Sequence, residues 1–175
     1  MPRSFPRRLA GAEIMARIPV TFILNGAEQA EFVEAGAVAA DVIRDKFALT
    51  ATKVGCAQGT CGACSILVDG ELQLACLIPA ARLEGASVTT LEGLAPASEL
   101  HPLQRAFAEG FAAQCGFCTS GMIMAGAALL ARNPDPDRAA VIDAISGNIC
   151  RCTGYEPIIN AILSAAATMR RAKSA

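Results

Sequence analysis

The sequence predicts an α+β chain in which a small β-sheet with one helix precedes a group of four helices. Three observations carry this prediction. Apolar residues alternate in the first half, which also holds two hairpin signals, whereas the second half has apolar residues at helical spacing. Eight cysteines divide into one group of four in each half. A length of 175 residues with 53% hydrophobic content suits one domain or two small ones.

The first half carries the predicted strands. Apolar residues alternate from Ile18 to Leu24, Asn25-Gly26 is typical of a tight hairpin turn, and a second strand follows through residues 32–33. Asp69-Gly70 predicts a second hairpin, between strands over residues 65–68 and 71–75. Three apolar positions predict a short amphipathic helix between the two hairpins: Val38, Val42 and Ile43.

The pattern changes between Val88 and Pro96, and Pro96 with Ser98 indicates a linker. We therefore expect an N-terminal extension over residues 1–16, a first domain over 17–92 and a helical domain over 93–175.

Four helices are predicted after the linker. Pro102 suits the first turn of a helix whose apolar residues lie four apart: Leu103, Phe107 and Phe111. The segment from Met122 to Leu130 is apolar on nearly every side, which indicates a buried helix.

The last two helices are predicted from their starting residues. Asp135 followed by Pro136 predicts an N-cap and a first turn, and that helix should stop at Gly147. Thr153 and Glu156 fit a capping box at the start of the final helix.

Composition excludes several function classes. A net charge of −1 gives no reason to expect nucleic acid or an acidic membrane as a partner. A single His cannot supply a histidine-based metal site, so any metal chemistry must rest on cysteine sulfur. The most apolar run, residues 122–131, is too short to span a bilayer. Arg7-Arg8 is not followed by a long apolar stretch, and Met15 is an alternative start. We expect a cytoplasmic protein whose cysteines are ligands rather than disulfides.

The first cysteine group has the spacing C-x4-C-x2-C-x11-C, which begins as in plant-type [2Fe–2S] ferredoxins. Its predicted ligands are Cys56, Cys61, Cys64 and Cys76. Gly55, Gly59 and Gly62 sit beside them, as expected of a loop whose backbone approaches a cluster closely. Zinc sites use four cysteines as two short knuckles, so the spacing favours iron–sulfur over zinc.

The second group has the spacing C-x2-C-x31-C-x-C and is less diagnostic, because its first pair could also begin a zinc site. Its predicted ligands are Cys115, Cys118, Cys150 and Cys152. Cys115 and Cys118 fall at the start of a predicted helix, and Cys152 directly precedes another. Helix N-termini present unpaired N–H groups to an anionic cluster, which favours iron–sulfur here too.

Three segments carry a family resemblance: residues 54–64 (VGCAQGTCGAC), 114–122 (QCGFCTSGM) and 147–155 (GNICRCTGY). They resemble the small iron–sulfur subunit of the molybdenum hydroxylases, the xanthine oxidase or xanthine dehydrogenase family. The resemblance implies a β-grasp, plant-type ferredoxin-like [2Fe–2S] domain followed by a four-helix-bundle domain with a second [2Fe–2S] cluster.

The resemblance also implies partners. A large subunit would hold the molybdopterin-type molybdenum cofactor and a medium subunit FAD, in a dimer of heterotrimers. By match, Gln114 and Cys152 would approach the pterin. Electrons would pass through the helical-domain cluster and the ferredoxin-like cluster towards FAD, and this chain would carry no catalytic residue. A free-standing ferredoxin and a zinc-bearing structural module are the competing classes.

Overall fold

The computed structural model describes residues 16–96 and 98–174. The predicted N-terminal extension, with Arg7-Arg8 and Met15, lies outside them apart from Ala16. These residues contain five strands: β1 (Arg17–Leu24), β2 (Ala27–Glu34), β3 (Ser65–Val68), β4 (Glu71–Leu74) and β5 (Ser87–Thr89). The same residues contain five α-helices: α1 (Ala39–Asp41), α2 (Pro102–Glu109), α3 (Thr119–Arg132), α4 (Arg138–Ile145) and α5 (Glu156–Lys173). The predicted mixture of one sheet with helices is confirmed.

The five strands form one sheet in the order β2-β1-β5-β3-β4. Strand β5 lies parallel to β1 and antiparallel to β3, and every other pairing is antiparallel. The sequence reasoning missed β5, although this strand joins the two hairpins. It is only three residues long, and of these only Val88 is fully buried, so it shows no alternation to detect.

Both predicted hairpins are confirmed. The two central residues of each turn have positive φ angles, 52° and 84° at Asn25-Gly26 and 52° and 82° at Asp69-Gly70. This pattern is typical of the type I′ turn, whose twist matches that of the strands it joins. The predicted inner face of β1 is also confirmed, because Val20, Phe22 and Leu24 are buried.

The first apolar core lies between the sheet and the α1 segment. Helix α1 continues as a π-helical turn over Val42–Lys46, so the predicted short helix is present. Phe22 and Phe47 meet edge to face there, with ring centroids 5.8 Å apart. This packing holds the α1 segment against the sheet and fixes where the following loop begins.

A second core lies among helices α2 to α5. Ten residues of α3 are buried, which confirms the predicted all-round apolar helix. A Cβ atom added at Gly126 would lie 3.3 Å from side-chain atoms of Leu103 and Ile162, so a small residue lets α3 approach α2 and α5. Among the residues described, no helix is long and apolar enough to cross a membrane.

Three helix boundaries differ from the predictions. Helix α2 begins at Pro102 as expected but ends at Glu109, so Phe111 lies outside it, exposed and with a φ of 52°. Helix α4 is capped by Asp137 rather than Asp135, because the Asp137 side chain accepts a hydrogen bond from the Ala140 N–H at 2.8 Å. Tyr155 caps α5, and Thr153 instead accepts a hydrogen bond from the Tyr155 N–H, so the predicted capping box is wrong.

Candidate metal centres

The first cysteine group gathers at one end of the sheet. Three of its members lie in the loop between the α1 segment and β3, and Cys76 follows β4. The side chains of Cys56 and Cys61 are neighbours, as are those of Cys64 and Cys76. Cys61 also acts on Cys64 through its charge. The fold therefore brings together the four predicted ligands of this group.

Hydrogen-bond donors surround the sulfur of Cys56. Its Sγ atom accepts bonds from the backbone N–H groups of Gln58 and Thr60, at 3.5 and 3.3 Å. The Thr60 side chain and these N–H groups lower the pKa of Cys56 to about 5. Such donors stabilise a thiolate, and they also stabilise the negative charge of sulfur bound to metal.

Cys64 and Cys76 form a buried thiol pair. Burial and the neighbouring thiol of Cys76 together raise the pKa of Cys64 to about 11. The N–H of Ala75 donates to the carbonyl of Cys64 at 3.2 Å, which joins the two backbone segments. A metal ion deprotonates a coordinating thiol outright, so the raised pKa of Cys64 does not prevent it from acting as a ligand.

The three predicted loop glycines all lie in close contacts. An added Cβ would lie 3.1 Å from Cys61 Sγ at Gly55, and 2.5 Å from the side chain of Leu77 at Gly59. At Gly62 it would lie 2.5 Å from the side-chain amide of Asn148. Gly59 and Gly62 also have φ angles of 81° and 70°. The positive φ angles favour glycine at Gly59 and Gly62, and Gly55 has little room for a side chain.

Arg44 anchors the start of the cysteine loop, which sequence reasoning missed. Its guanidinium donates to the carbonyls of Thr50 and Thr52 at 3.1 and 2.8 Å. The N–H of Lys53 then donates to the carbonyl of Ala63 at 3.2 Å and ties the loop to its own far end. A lone arginine gives no sequence signal for this role, because its acceptors are backbone atoms.

The second cysteine group gathers at the ends of three helices. Cys115 and Cys118 precede α3, and Cys150 and Cys152 lie between α4 and α5. The side chains of Cys115 and Cys152 are neighbours, as are those of Cys118 and Cys150. The four predicted ligands of this group are therefore also brought together.

The thiols of this second group differ in their acidity. Burial and the neighbouring Cys150 raise the pKa of Cys118 to about 12. Burial also acts to raise the pKa of Cys150, but hydrogen bonds outweigh it, the largest from Thr153 at 3.1 Å, and the pKa falls to about 7. The N–H of Phe117 lowers the pKa of Cys115, whereas Cys115 raises that of Cys152.

Only one of the two predicted helix N-termini lies directly beside a cysteine of this second group. Cys118 is the N-cap of α3, as expected. Cys152 does not directly precede a helix, because residues 153–155 intervene and Tyr155 caps α5. A φ of 69° at Tyr155 turns the chain away before the helix begins.

The outer part of the second group lies at the surface. Gln114, Cys115 and Cys152 are exposed. A depression of about 360 Å³ is lined there by Cys115, Phe117, Cys118, Ile149, Arg151 and Cys152. Phe117 and Ile149 are large apolar residues that are about half exposed, at 48% and 53%. This surface combines exposed apolar side chains with the predicted pterin-side residues.

The paired arrangement of the thiols bears on the kind of metal. Structural zinc places four ligands around one ion, whereas each iron of a [2Fe–2S] cluster takes two protein ligands. Two thiol pairs in each group therefore fit a dinuclear cluster better than zinc.

The loops that carry the two cysteine groups are in direct contact, which the sequence did not predict. The N–H of Ile149 donates to the carbonyl of Cys61 at 2.9 Å. The side-chain amide of Asn148 donates to the carbonyl of Gly62, also at 2.9 Å. A Cβ added at Gly55 would lie 3.2 Å from the ring of Phe117. Glycine-rich loops of two separate cysteine groups thus pack against each other.

Comparison with known proteins gives consistent matches. A family model described as a [2Fe-2S] binding domain matches residues 90–163. The small subunit of nicotine 6-hydroxylase from Paenarthrobacter nicotinovorans is 45% identical over 149 residues, which cover 85% of this chain and 90% of that protein. The nicotinate dehydrogenase small FeS subunit of Eubacterium barkeri is 40% identical, with 85% and 94% covered.

A longer protein and a solved structure extend these matches. The aldehyde oxidoreductase of Megalodesulfovibrio gigas is 46% identical over 153 residues, which cover 86% of this chain but only 17% of that protein. The crystal structure of quinoline 2-oxidoreductase from Pseudomonas putida 86 contains a chain that is 44% identical, with a TM-score of 0.85. The match covers 89% of this chain and 97% of that one. The chain belongs to the family of small [2Fe–2S] iron–sulfur subunits of the molybdenum hydroxylases, the xanthine dehydrogenase family.

Proposed function

We propose that this chain carries electrons one at a time from a molybdopterin centre on a large subunit, through two [2Fe–2S] clusters, towards FAD on a medium subunit. The observation that carries the proposal is that two groups of four cysteines meet through touching loops in one chain. A carrier with one cluster would need neither the second group nor this contact.

Each cysteine group would hold one cluster. The proposed ligands of the first are Cys56, Cys61, Cys64 and Cys76, and those of the second are Cys115, Cys118, Cys150 and Cys152. We assign the first to a β-grasp, ferredoxin-like domain over residues 17–92 and the second to a four-helix domain over 93–175. Separate apolar cores, one against the sheet and one among the helices, support this division.

When bound, each cluster would accept and release single electrons, and the protein would set how readily it does so. Hydrogen bonds to sulfur, burial and nearby charge are the means by which a protein tunes such a potential. Here the N–H groups of Gln58 and Thr60 stabilise charge on Cys56, and Thr153 does so on Cys150. Burial of Cys64 and Cys118 acts in the opposite direction.

The exposed surface around Gln114 and Cys152 would face the molybdopterin of the large subunit. Its support is the exposure of Phe117 and Ile149, because large apolar side chains at the surface are typical of contacts within stable complexes. We propose that the large and medium subunits and this chain form a heterotrimer, which pairs into a dimer of heterotrimers. The assembly would lie in the cytoplasm, where thiols stay reduced and available as ligands.

The test is to purify the chain gently from its native host and measure what accompanies it. We expect a brown complex with molybdenum, FAD and about four irons per copy of this chain, two per cluster. Iron without a molybdenum-bearing partner would favour a free ferredoxin, and zinc in place of iron would contradict electron transfer. Two irons per chain would contradict the proposed pair of clusters.

A further inference from the structure

Two hydrogen bonds between the cysteine loops involve four residues, which we call the loop junction: Cys61, Gly62, Asn148 and Ile149. Two hydrogen bonds of 2.9 Å hold it, from the N–H of Ile149 to Cys61 and from the Asn148 amide to Gly62. Cys61 is a proposed ligand of the first cluster, and Ile149 directly precedes Cys150, a ligand of the second. The junction therefore joins the two centres beside their ligands.

Asn148 is held firmly on its own side of the junction. It is only 3% exposed. Its N–H donates to the carbonyl of Ile145 at 2.9 Å, and its carbonyl accepts from the hydroxyl of Tyr155 at 3.1 Å. The same hydroxyl accepts from the N–H of Cys150 at 3.0 Å. Tyr155 thus fixes both the residue that makes the junction and the ligand two positions later.

The space around Asn148 fits an asparagine closely. A Cβ at Gly62 would lie 2.5 Å from Asn148 Nδ2, and one at Gly121 would clash with the carbonyl of Gly62. That carbonyl also accepts from the hydroxyl and the N–H of Ser65, at 2.7 and 3.1 Å. Without Asn148 this buried carbonyl would keep both bonds from Ser65, so the Asn148 bond holds the second loop against the first rather than satisfying the carbonyl.

We propose that Asn148 is a positioning residue that fixes the spacing between the two iron–sulfur centres, with Tyr155 as its support. The inference rests on the proposed function, since it needs two clusters. Electron transfer between two centres weakens steeply as their separation grows. A short polar side chain that clamps the loop of one centre to the loop of the other would therefore set the rate between them.

The test uses the complete complex with Asn148→Ala, which removes the amide, and Tyr155→Phe, which removes only the hydroxyl that holds Asn148. Asn160→Ala is the matched control, because Asn160 is exposed on α5 and its side-chain amide donates to Glu156, away from the loop junction. Three quantities are measured: iron per chain, the magnetic interaction between the two reduced clusters in electron paramagnetic resonance, and the rate of electron passage between the clusters in stopped flow.

We expect wild-type iron in both variants, with a weaker magnetic interaction and a several-fold slower passage between clusters, larger in Asn148→Ala. The control should behave as wild type. Unchanged interaction and rate in a variant with full iron would overturn the inference. Loss of iron from both variants would also overturn it, because Asn148 would then serve cluster assembly rather than spacing. A wild-type complex with fewer than two clusters would instead contradict the proposed function itself.

Discussion

Neighbouring thiols in these centres have opposite electrostatic surroundings. Burial and its neighbour raise the pKa of Cys118 to about 12, whereas hydrogen bonds bring that of Cys150 beside it down to about 7. Without metal, one thiol of the pair keeps its proton while the other readily loses it. A bound metal supplies the positive charge that lets both thiols ionise, so both become thiolate ligands only when metal is bound.

The first prediction concerns this pair. Cys118→Ser removes one of four proposed thiolates of the second cluster, so iron should fall from about four to about two per chain. One of the two paramagnetic signals of the reduced protein should disappear. Cys64→Ser is the matched variant, because it should remove the signal of the first cluster and leave that of the second. A Cys118→Ser protein with full iron and normal turnover would refute the ligand assignment.

The second prediction concerns Gly62. Gly62→Ala adds a methyl group against Asn148 at a φ of 70°, so the fold must bear both backbone strain and a clash. Strain alone costs about 1–3 kcal/mol of unfolding free energy, and the clash adds to it. Gly26→Ala is the control, since Gly26 has a φ of 84° but no atom within 4 Å of an added Cβ. Equal melting temperatures for the two variants would show that the junction has room to relax.

Among the secondary elements, the sequence was most informative where turn chemistry is local. Asn25-Gly26 and Asp69-Gly70 marked both hairpins because their backbone geometry depends on those residues alone. Strand β5 was not predicted, because it pairs with β1 and β3, which lie far from it along the chain. The cap of α4 was misplaced by two residues because several aspartates and prolines there offer similar signals.

The third prediction concerns helix α2, which His101 caps by accepting a hydrogen bond from the Leu103 N–H at Nδ1, at 3.2 Å. Only an unprotonated Nδ1 can accept, and burial lowers the pKa of His101. A lowered folded-state pKa gives stability that is full above the unfolded value of about 6.5 and is lost as pH falls through the folded value. The His101 cap should contribute about 0.5–2 kcal/mol to the free energy of unfolding.

Melting temperatures on either side of about pH 6.5 check this. The melting temperature of the wild-type chain should fall as the pH is lowered. That of His101→Ala should be lower at neutral pH and should fall less. His101→Asn keeps an acceptor without titrating in this range, so it should stay stable throughout. His101 is the only histidine in the chain, which leaves no second imidazole to blur the comparison. Parallel pH curves for all three proteins would contradict the assignment.

For the molecule as a whole, the sequence located the cysteine groups and their glycines but not how the groups meet. Ligand spacing is a property of one loop, so Cys56 to Cys64 could be interpreted by themselves. The junction depends on Asn148 and Gly62, which are 86 positions apart and give no local signal. Arg44 and Tyr155 were missed for the same reason, because their partners are backbone atoms that only the fold brings near.

The fourth prediction concerns the whole complex. Gln114→Ala should leave about four irons per chain but slow the reduction of this chain by the molybdenum centre, because Gln114 is proposed to lie at the pterin. Gln58→Ala is the matched control, since Gln58 is also exposed but lies beside the first cysteine group. Stopped-flow reduction by substrate measures the effect. Identical rates in the two variants and the wild type would place Gln114 away from the path.

The position of β5 bears on the order in which the molecule is completed during synthesis. The sheet is whole once Thr89 has been made, and the four thiols of the first group are available by Cys76. The clamp on Gly62 is made only when Asn148 follows, after α2, α3 and α4. The first loop therefore remains open on that side while most of the helical half is still being translated.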